Sequence, residues 1–236
     1  MNFVGILAGG KGTRMGKTEL PKQFLKLGEK PIIIHTLEQF LIAEDIEKII
    51  IAVPEEWITY TENIVDKYCK DDKISIIKGG TSRNDTIMAI CNYIKENKKI
   101  TKDDVLITHD AVRPFITQRI IRDNINNIKE YDAIDTVIPA YDTIVEAKDN
   151  NIISNIPIRD FMYQGQTPQT FKVEELMQTY NSLTEQEKEI LTDAAKIYVL
   201  KNKKVKIVNG ETYNIKITTQ YDLKLANLML GNKVEE

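Results

Sequence analysis

"ILAGGKGTRMG", residues 6–16, opens as an apolar strand and closes as glycines around two cations, Lys11 and Arg14. Gly9, Gly10, Gly12 and Gly16 remove β-carbons where backbone N–H groups can approach an anion, and phosphate suits such a strand-to-glycine turn. Spacing excludes two familiar nucleotide loops. The dinucleotide fingerprint needs two residues before its last glycine, whereas three separate Gly12 from Gly16. A Walker A loop ending in Gly16-Lys17-Thr18 needs glycine at position 11, which is lysine. From 11 to 30 the cations are Lys11, Arg14, Lys17, Lys22, Lys26 and Lys30, opposed by Glu19 and Glu29. In "LPKQF" (20–24) a proline stiffens the approach to Lys22, a point charge of the kind a polyphosphate requires.

Outward from this stretch, short apolar runs recur at Phe3–Ala8, Lys48–Val53, Ile74–Ile77, Val105–Thr108 and Ala133–Ala140. Their length and β-branched content read as buried strands. Between them Thr36–Ala43, Trp57–Tyr68, Thr86–Glu96 and Thr117–Lys129 carry apolar residues at helical spacing, with Thr117 as a cap. Alternating strands and helices predict an α/β fold: a mostly parallel sheet covered on both faces, with its ligand beyond the carboxyl ends of the strands. Residues 141–165 break the rhythm. Thr143–Ala147 and Ile152–Ile156 flank the turn-like Asp149-Asn150-Asn151, which predicts a protruding β-arm that covers a site or grips another subunit. Helical segments near 172–182 and 184–197 and a strand near Lys204–Val208 follow, all within one domain spanning 1–236.

Further motifs fall at strand ends. "GGTSRNDT" (79–86) is either a loop ending in a helix cap at Ser82, Asn84 or Asp85, or a phosphate-facing helix start. "THDAVRP" (108–114) sets His109, Asp110 and Arg113 after a buried strand; the histidine reads as satisfied, the carboxylate as a hydroxyl or magnesium contact, and Arg113 equally as a structural ion pair. "GQTPQTF" (165–171) is a turn or a polar site wall. "NIKITT" (214–219) alternates, which places Lys216 opposite Ile215 and Ile217 and favours solvent, and Thr219 with Asp222 forms a capping box. Cys69 and Cys91 read as packing residues.

Composition narrows the class. The 236 residues are 42% hydrophobic and 28% charged with net charge −3, so no global basic excess points to nucleic acid. No apolar run approaches the roughly 20 residues of a membrane span. Two cysteines and two histidines offer no metal or disulfide framework, and a reduced cytoplasm is the expected compartment.

Taken together and in order, "LAGGKGTRMG…PKQF", "GGTSRN", "HDAVRPF", "QTPQTF" and "NIKITT" resemble the cytidylyltransferases that act on methylerythritol phosphate and ribitol 5-phosphate. "IPIRDFMYQGQTPQTF" and "EILTDAAKI" look closer to the ribitol 5-phosphate branch, while Val112 replaces the second alanine of the other branch's "HDAARP". The resemblance implies a Rossmann-like domain that transfers CMP from CTP, with magnesium, to D-ribitol 5-phosphate, giving CDP-ribitol for teichoic acid or capsule. The alternative acceptor is 2-C-methyl-D-erythritol 4-phosphate. By the same resemblance Arg14, Lys22, Arg159 and Lys216 are catalytic. Leu7, Ala8, Gly9, Gly10 and Lys11 hold the nucleotide, joined by Gly80, Thr81, Ser82, Arg83, Asn84, Asp85 and Thr86. Asp110, Arg159, Thr167 and Lys216 meet the acceptor, and Asp110 also faces the metal-bound phosphates. A homodimer exchanging its arms and a reductase supplying the acceptor are the implied partners. Competing readings are a non-catalytic nucleotide-binding module and a sugar-1-phosphate nucleotidyltransferase using UTP or dTTP.

Overall fold

The computed structural model describes residues 1–10, 12–16 and 18–231. Its centre is a seven-stranded sheet in the order β5-β4-β1-β6-β8-β7-β9. β1 (Asn2–Leu7) runs parallel to β4 (Lys48–Val53) on one side and to β6 (Val105–Asp110) on the other, and β4 runs parallel to β5 (Ile74–Lys78). The strand order therefore reverses at β1. The carboxyl ends of β1 and β6 lie side by side there, Leu7 opposite Asp110, where an open α/β sheet leaves a ligand crevice.

β1, β4 and β6 are almost entirely buried because helices cover both faces, which is why they read as continuous apolar runs. Alternate residues divide between two cores. Ile6, Ile49 and Ile51 pack beneath α1 (Ile32–Leu41), α2 (Ile58–Tyr68) and α4 (Gln118–Asn127). Phe3, Ile50 and Leu106 pack beneath α3 (Arg83–Asn97), α5 (Val173–Asn181) and α7 (Ala195–Leu200). The short pair β2 (Lys26–Leu27) and β3 (Lys30–Pro31) leads into α1, and α8 (Gln220–Met229) opens with the expected capping box of Thr219 and Asp222.

Three expectations change. "GQTPQTF", expected as a turn or a polar site wall, is the middle of β8 (Tyr163–Lys172), antiparallel to both β6 and β7 (Ala133–Pro139). Its polar composition is tolerated because the groups are paired: Thr170 Oγ1 donates to Asn124 Oδ1 at 2.9 Å, and Thr108 Oγ1 donates to the Gln169 carbonyl at 3.1 Å. Pro168 falls where the β7–β8 register shifts, a position that asks for no ladder donor. Next, the helix expected over 184–197 is two, α6 (Glu185–Glu189) and α7, and the carboxylate of Asp193 between them accepts the Ala195 N–H at 2.8 Å. Last, the arm's two strand halves reduce to one antiparallel bridge, Glu146 to Asn155, closed by a turn in which Asp149 accepts the N–H groups of Asn151 and Ile152. β9 (Val205–Asn209) completes the sheet beside β7, parallel to it.

Candidate active site

At the carboxyl ends of β1 and β6 lies a pocket of about 260 Å³. Leu7, Ala8, Gly9 and Gly10 supply one side as backbone; Gly80, Thr81, Ser82, Arg83 and Thr86 supply another. Lys22, Asp110 and Lys216 face both. The expected nucleotide stretch is thus only partly at the pocket. Asn84 is buried beneath the helix start, and Asp85 is a cap partner: it accepts the Ser82 N–H at 3.0 Å and the Thr81 hydroxyl at 2.7 Å, while Ser82 Oγ accepts the Asp85 N–H. The loop is thus a helix cap at Ser82 and Asp85, while Gly80 to Arg83 and Thr86 line the pocket. Gly80 cannot be replaced, since a β-carbon there would stand 2.6 Å from the backbone carbon of Asp85. Lys11 lies outside the described residues.

Local packing fixes the two first-named cations. Phe24 wedges between Trp57 and Tyr60, with ring centroids at 5.4 and 4.9 Å, and Gln23 Nε2 donates to the Ala8 carbonyl at 2.6 Å. Lys22 is consequently pinned against the glycine loop, where a β-carbon on Gly10 would meet Lys22 Cε at 3.6 Å. Burial, then Lys216 and Arg14, lower the Lys22 pKa, with Asp110 and Asp222 opposing them. Arg14 stands exposed on one turn (Thr13–Met15) that Gly12 enters at φ 67°, anchored by the buried Met15 against Val112 and Ile217.

Asp110 organises the remainder. Its carboxylate receives Arg83 Nη1 at 2.5 Å, Lys216 Nζ at 2.9 Å and Arg113 Nε at 3.3 Å. Burial pushes its pKa up, but these three cations outweigh burial and hold it well below the usual carboxylate range. Lys216 therefore points into the pocket and not to solvent. It is placed there by Asn214, fully buried, whose carbonyl accepts from Arg113 Nη1 at 2.8 Å and whose amide donates to the Thr167 carbonyl at 2.9 Å. Asn214 and Gln23 are structural ties that sequence reasoning did not assign, their sole signal being presence inside the motifs, whereas Arg113 forms the ion pair that was one of its expected readings.

Two expected acceptor residues are elsewhere. Thr167 is buried, and its hydroxyl accepts the Asp110 N–H at 3.2 Å and donates to His109 Nδ1 at 3.0 Å. His109 Nε2 must carry the other proton, because its partner at 3.1 Å is the Arg113 carbonyl, which can only accept. Burial lowers the imidazole pKa to about 4, so His109 is a neutral spacer and not a base. Arg159 is exposed beyond the pocket, donating to the Tyr141 carbonyl at 3.3 Å. No group of three His, Cys, Asp or Glu side chains gathers among the described residues, and Asp110 is the one carboxylate lining the pocket. With both its oxygens ion-paired, these residues fit a magnesium ion carried on triphosphate oxygens and not an all-protein cage.

What the arrangement can do is bind a polyanion: Lys22, Lys216 and Arg83 line the pocket, Arg14 stands close enough to perturb Lys22, and one aspartate orders them. Comparison with known proteins agrees. The sequence family described as "IspD: 2-C-methyl-D-erythritol 4-phosphate cytidylyltransferase" matches residues 3–232. Among solved structures, the 4-diphosphocytidyl-2C-methyl-D-erythritol synthase of Anaerococcus prevotii is 27% identical, with TM-score 0.79 over 98% of this chain and 96% of that one. The 2-C-methyl-D-erythritol 4-phosphate cytidylyltransferase of Francisella tularensis is 28% identical, with TM-score 0.80 over 96% and 98%. The bifunctional IspDF of Campylobacter jejuni shares the fold at 23% identity and TM-score 0.75, and this chain matches 53% of its length. Among the described residues no helix is long and apolar enough to cross a membrane.

Proposed function

From the premise that the chain belongs to the 2-C-methyl-D-erythritol 4-phosphate cytidylyltransferase family, and so is a nucleotidyltransferase, we propose that it transfers CMP from CTP to a sugar-alcohol phosphate at this pocket. The observation that carries the reading is the set of cations around Asp110 beside a backbone-lined crevice. In the reaction an acceptor phosphate oxygen forms a bond to the α-phosphorus, and the bond from that phosphorus to the β-bridging oxygen breaks. Pyrophosphate leaves with the electron pair. Arg14 and Lys22 neutralise charge on the triphosphate, and Lys216 draws the acceptor phosphate in. The acceptor phosphate is largely ionised near neutrality, so no general base is required, in keeping with a neutral, buried His109. Magnesium, when bound, would supply further charge neutralisation on the triphosphate oxygens.

D-Ribitol 5-phosphate is the acceptor we read from "IPIRDFMYQGQTPQTF" and "EILTDAAKI", which would serve teichoic acid or capsule synthesis. The second reading, 2-C-methyl-D-erythritol 4-phosphate, is the one that the comparisons favour, since the Anaerococcus and Francisella structures carry that substrate in their names. Turnover of each acceptor separately decides. A kcat/KM ratio above about 10² for ribitol 5-phosphate, roughly what one misplaced methylene discriminates, supports the first reading; the reverse ratio replaces it with the second. Arg159 is absent from this chain's own pocket lining, and we read it as serving the pocket of a second copy. The exposed Ile152, Ile153, Ile156, Ile158 and Phe161 beside it support an arm-mediated homodimer. A monomer active at assay concentration contradicts that arrangement.

A further inference from the structure

Two quoted motifs have no part in the reaction above, and they meet. Gln169 of "QTPQTF", fully buried on β8, points its amide at two carboxylates: Nε2 lies 2.9 Å from Asp135 Oδ1 on β7, and 2.7 and 2.8 Å from Asp193 Oδ1 and Oδ2 of "LTDAAKI". One amide has two hydrogens for these three oxygens, and Gln169 Oε1 itself has no partner. The groups facing Asp135 are Asp193 from the α6–α7 connection, Lys196 from α7 across a shared cleft, Arg83 from α3 and Arg113 from the loop after β6. Lys196 Nζ is engaged by the Ile190 carbonyl at 2.7 Å. Arg83 and Arg113 are the guanidinium groups that hold Asp110.

We propose that the Asp135–Gln169–Asp193 bridge is a positioning unit for nucleotidyl transfer: it fastens the α6–α7 connection to β8 two residues from Thr167, whose hydroxyl receives the Asp110 N–H, and so leaves Arg83 and Arg113 committed to Asp110. Burial, reinforced by the neighbouring Asp193, pushes the Asp135 carboxyl up to about 7, while Gln169 and Arg83 oppose the rise. Above that pH an ionised Asp135 competes with Asp110 for Arg83, and two like charges strain the single amide between them. The acceptor feels this first, because Asp110 and Lys216 order its side of the pocket. The unit rests on the reaction proposed above, and it names residues that the reaction does not use.

The test compares wild type, Asp135→Asn and Asp193→Asn by acceptor KM from pH 6.5 to 8.5, offering whichever of the two acceptors turns over. Ionisation of the acceptor phosphate and of Lys22 is common to all three proteins and cancels in the comparison. Relative to Asp135→Asn, wild-type acceptor KM is expected to rise about 5–10-fold across the range, with KM for CTP changing less. Asp135→Asn, which cannot ionise at this position, shows only the pH dependence common to all three proteins. Asp193→Asn removes the like charge and moves the rise to lower pH. Superimposable profiles for wild type and Asp135→Asn overturn the proposal, and so does an unmoved profile in Asp193→Asn if the first variant fails to fold. A substrate-free carboxyl NMR titration separates the two failures. If neither acceptor turns over but one aspartate titrates near neutrality in wild type and is lost in Asp135→Asn, the reaction is wrong and the protonated bridge remains; if none titrates there, the bridge is wrong.

Discussion

Asp110 and Asp135 stand two strands apart in one sheet, both feel the charge of Arg83, and their carboxyls are pushed in opposite directions, Asp110 well below the usual range and Asp135 up to about 7. Asp110 collects three cations, which overcome the penalty of burial. Asp135 meets one neutral amide and a second carboxylate, and burial prevails. Depth within the fold does not separate them; the company each keeps does. The protein therefore has one permanent anion to order its cations and one carboxyl poised to titrate beside them.

The largest test of this contrast is Asp110→Asn. It leaves Arg83, Arg113 and Lys216 clustered without a counter-charge, and removing one partner of such a buried set costs about 3 kcal/mol of stability. A urea midpoint should fall at unchanged slope, with turnover falling alongside. Because the folded pKa of Asp110 is depressed, its stabilisation is present above the unfolded value and lost only as pH falls through the folded one. Neutral-pH stability in Asp110→Asn equal to wild type would break the contrast.

Asp135→Asn sharpens it from the other side. A carboxyl with a raised folded pKa binds more protons folded than unfolded, so wild-type stability drops as pH climbs from the unfolded value near 4 to about 7. The amide should escape that loss, gaining about 1–2 kcal/mol over wild type at pH 8 after allowance for water in the cleft, and nothing at pH 4. A constant difference at every pH would mean that Asp135 does not titrate in this range. His109 supplies the smallest effect. With its folded pKa near 4, its imidazole resonances should not move between pH 8 and 5.5, and stability is lost only as the unfolded chain gains its proton below about pH 6.5. A midpoint near 6.5 would show an imidazole open to water.

The fold was legible wherever apolar runs were continuous: Lys48–Val53 is a strand at both of its expected ends, and Thr117 caps its helix through an Ile120 N–H at 3.3 Å. It was illegible at β8, where Gln166, Thr167, Gln169 and Thr170 look solvent-facing yet lie buried, held by hydrogen bonds to β6, β7, α4 and the loop after β9. The same blindness affected the site. Glycine loops and Asp110 announce themselves by position after strands, whereas Asn214 and Gln23 work through long-range hydrogen bonds that no local pattern encodes. Thr167 was assigned to the acceptor, but its hydroxyl is spent on His109 and the Asp110 N–H. Lys216 shows the opposite error: alternation sent it to solvent, and the tie from Arg113 to Asn214 turns it onto Asp110.

The most direct test of nucleotidyl transfer at this pocket is pyrophosphate release from CTP and magnesium with each acceptor, by wild type and by Lys22→Ala. Release should require the acceptor, and it should fall about 10²–10³-fold in the variant, as expected when a charge that stabilises the transition state is removed. Equal release by both proteins, or CTP binding by wild type with no release for either acceptor, would contradict the assignment of this pocket to CMP transfer.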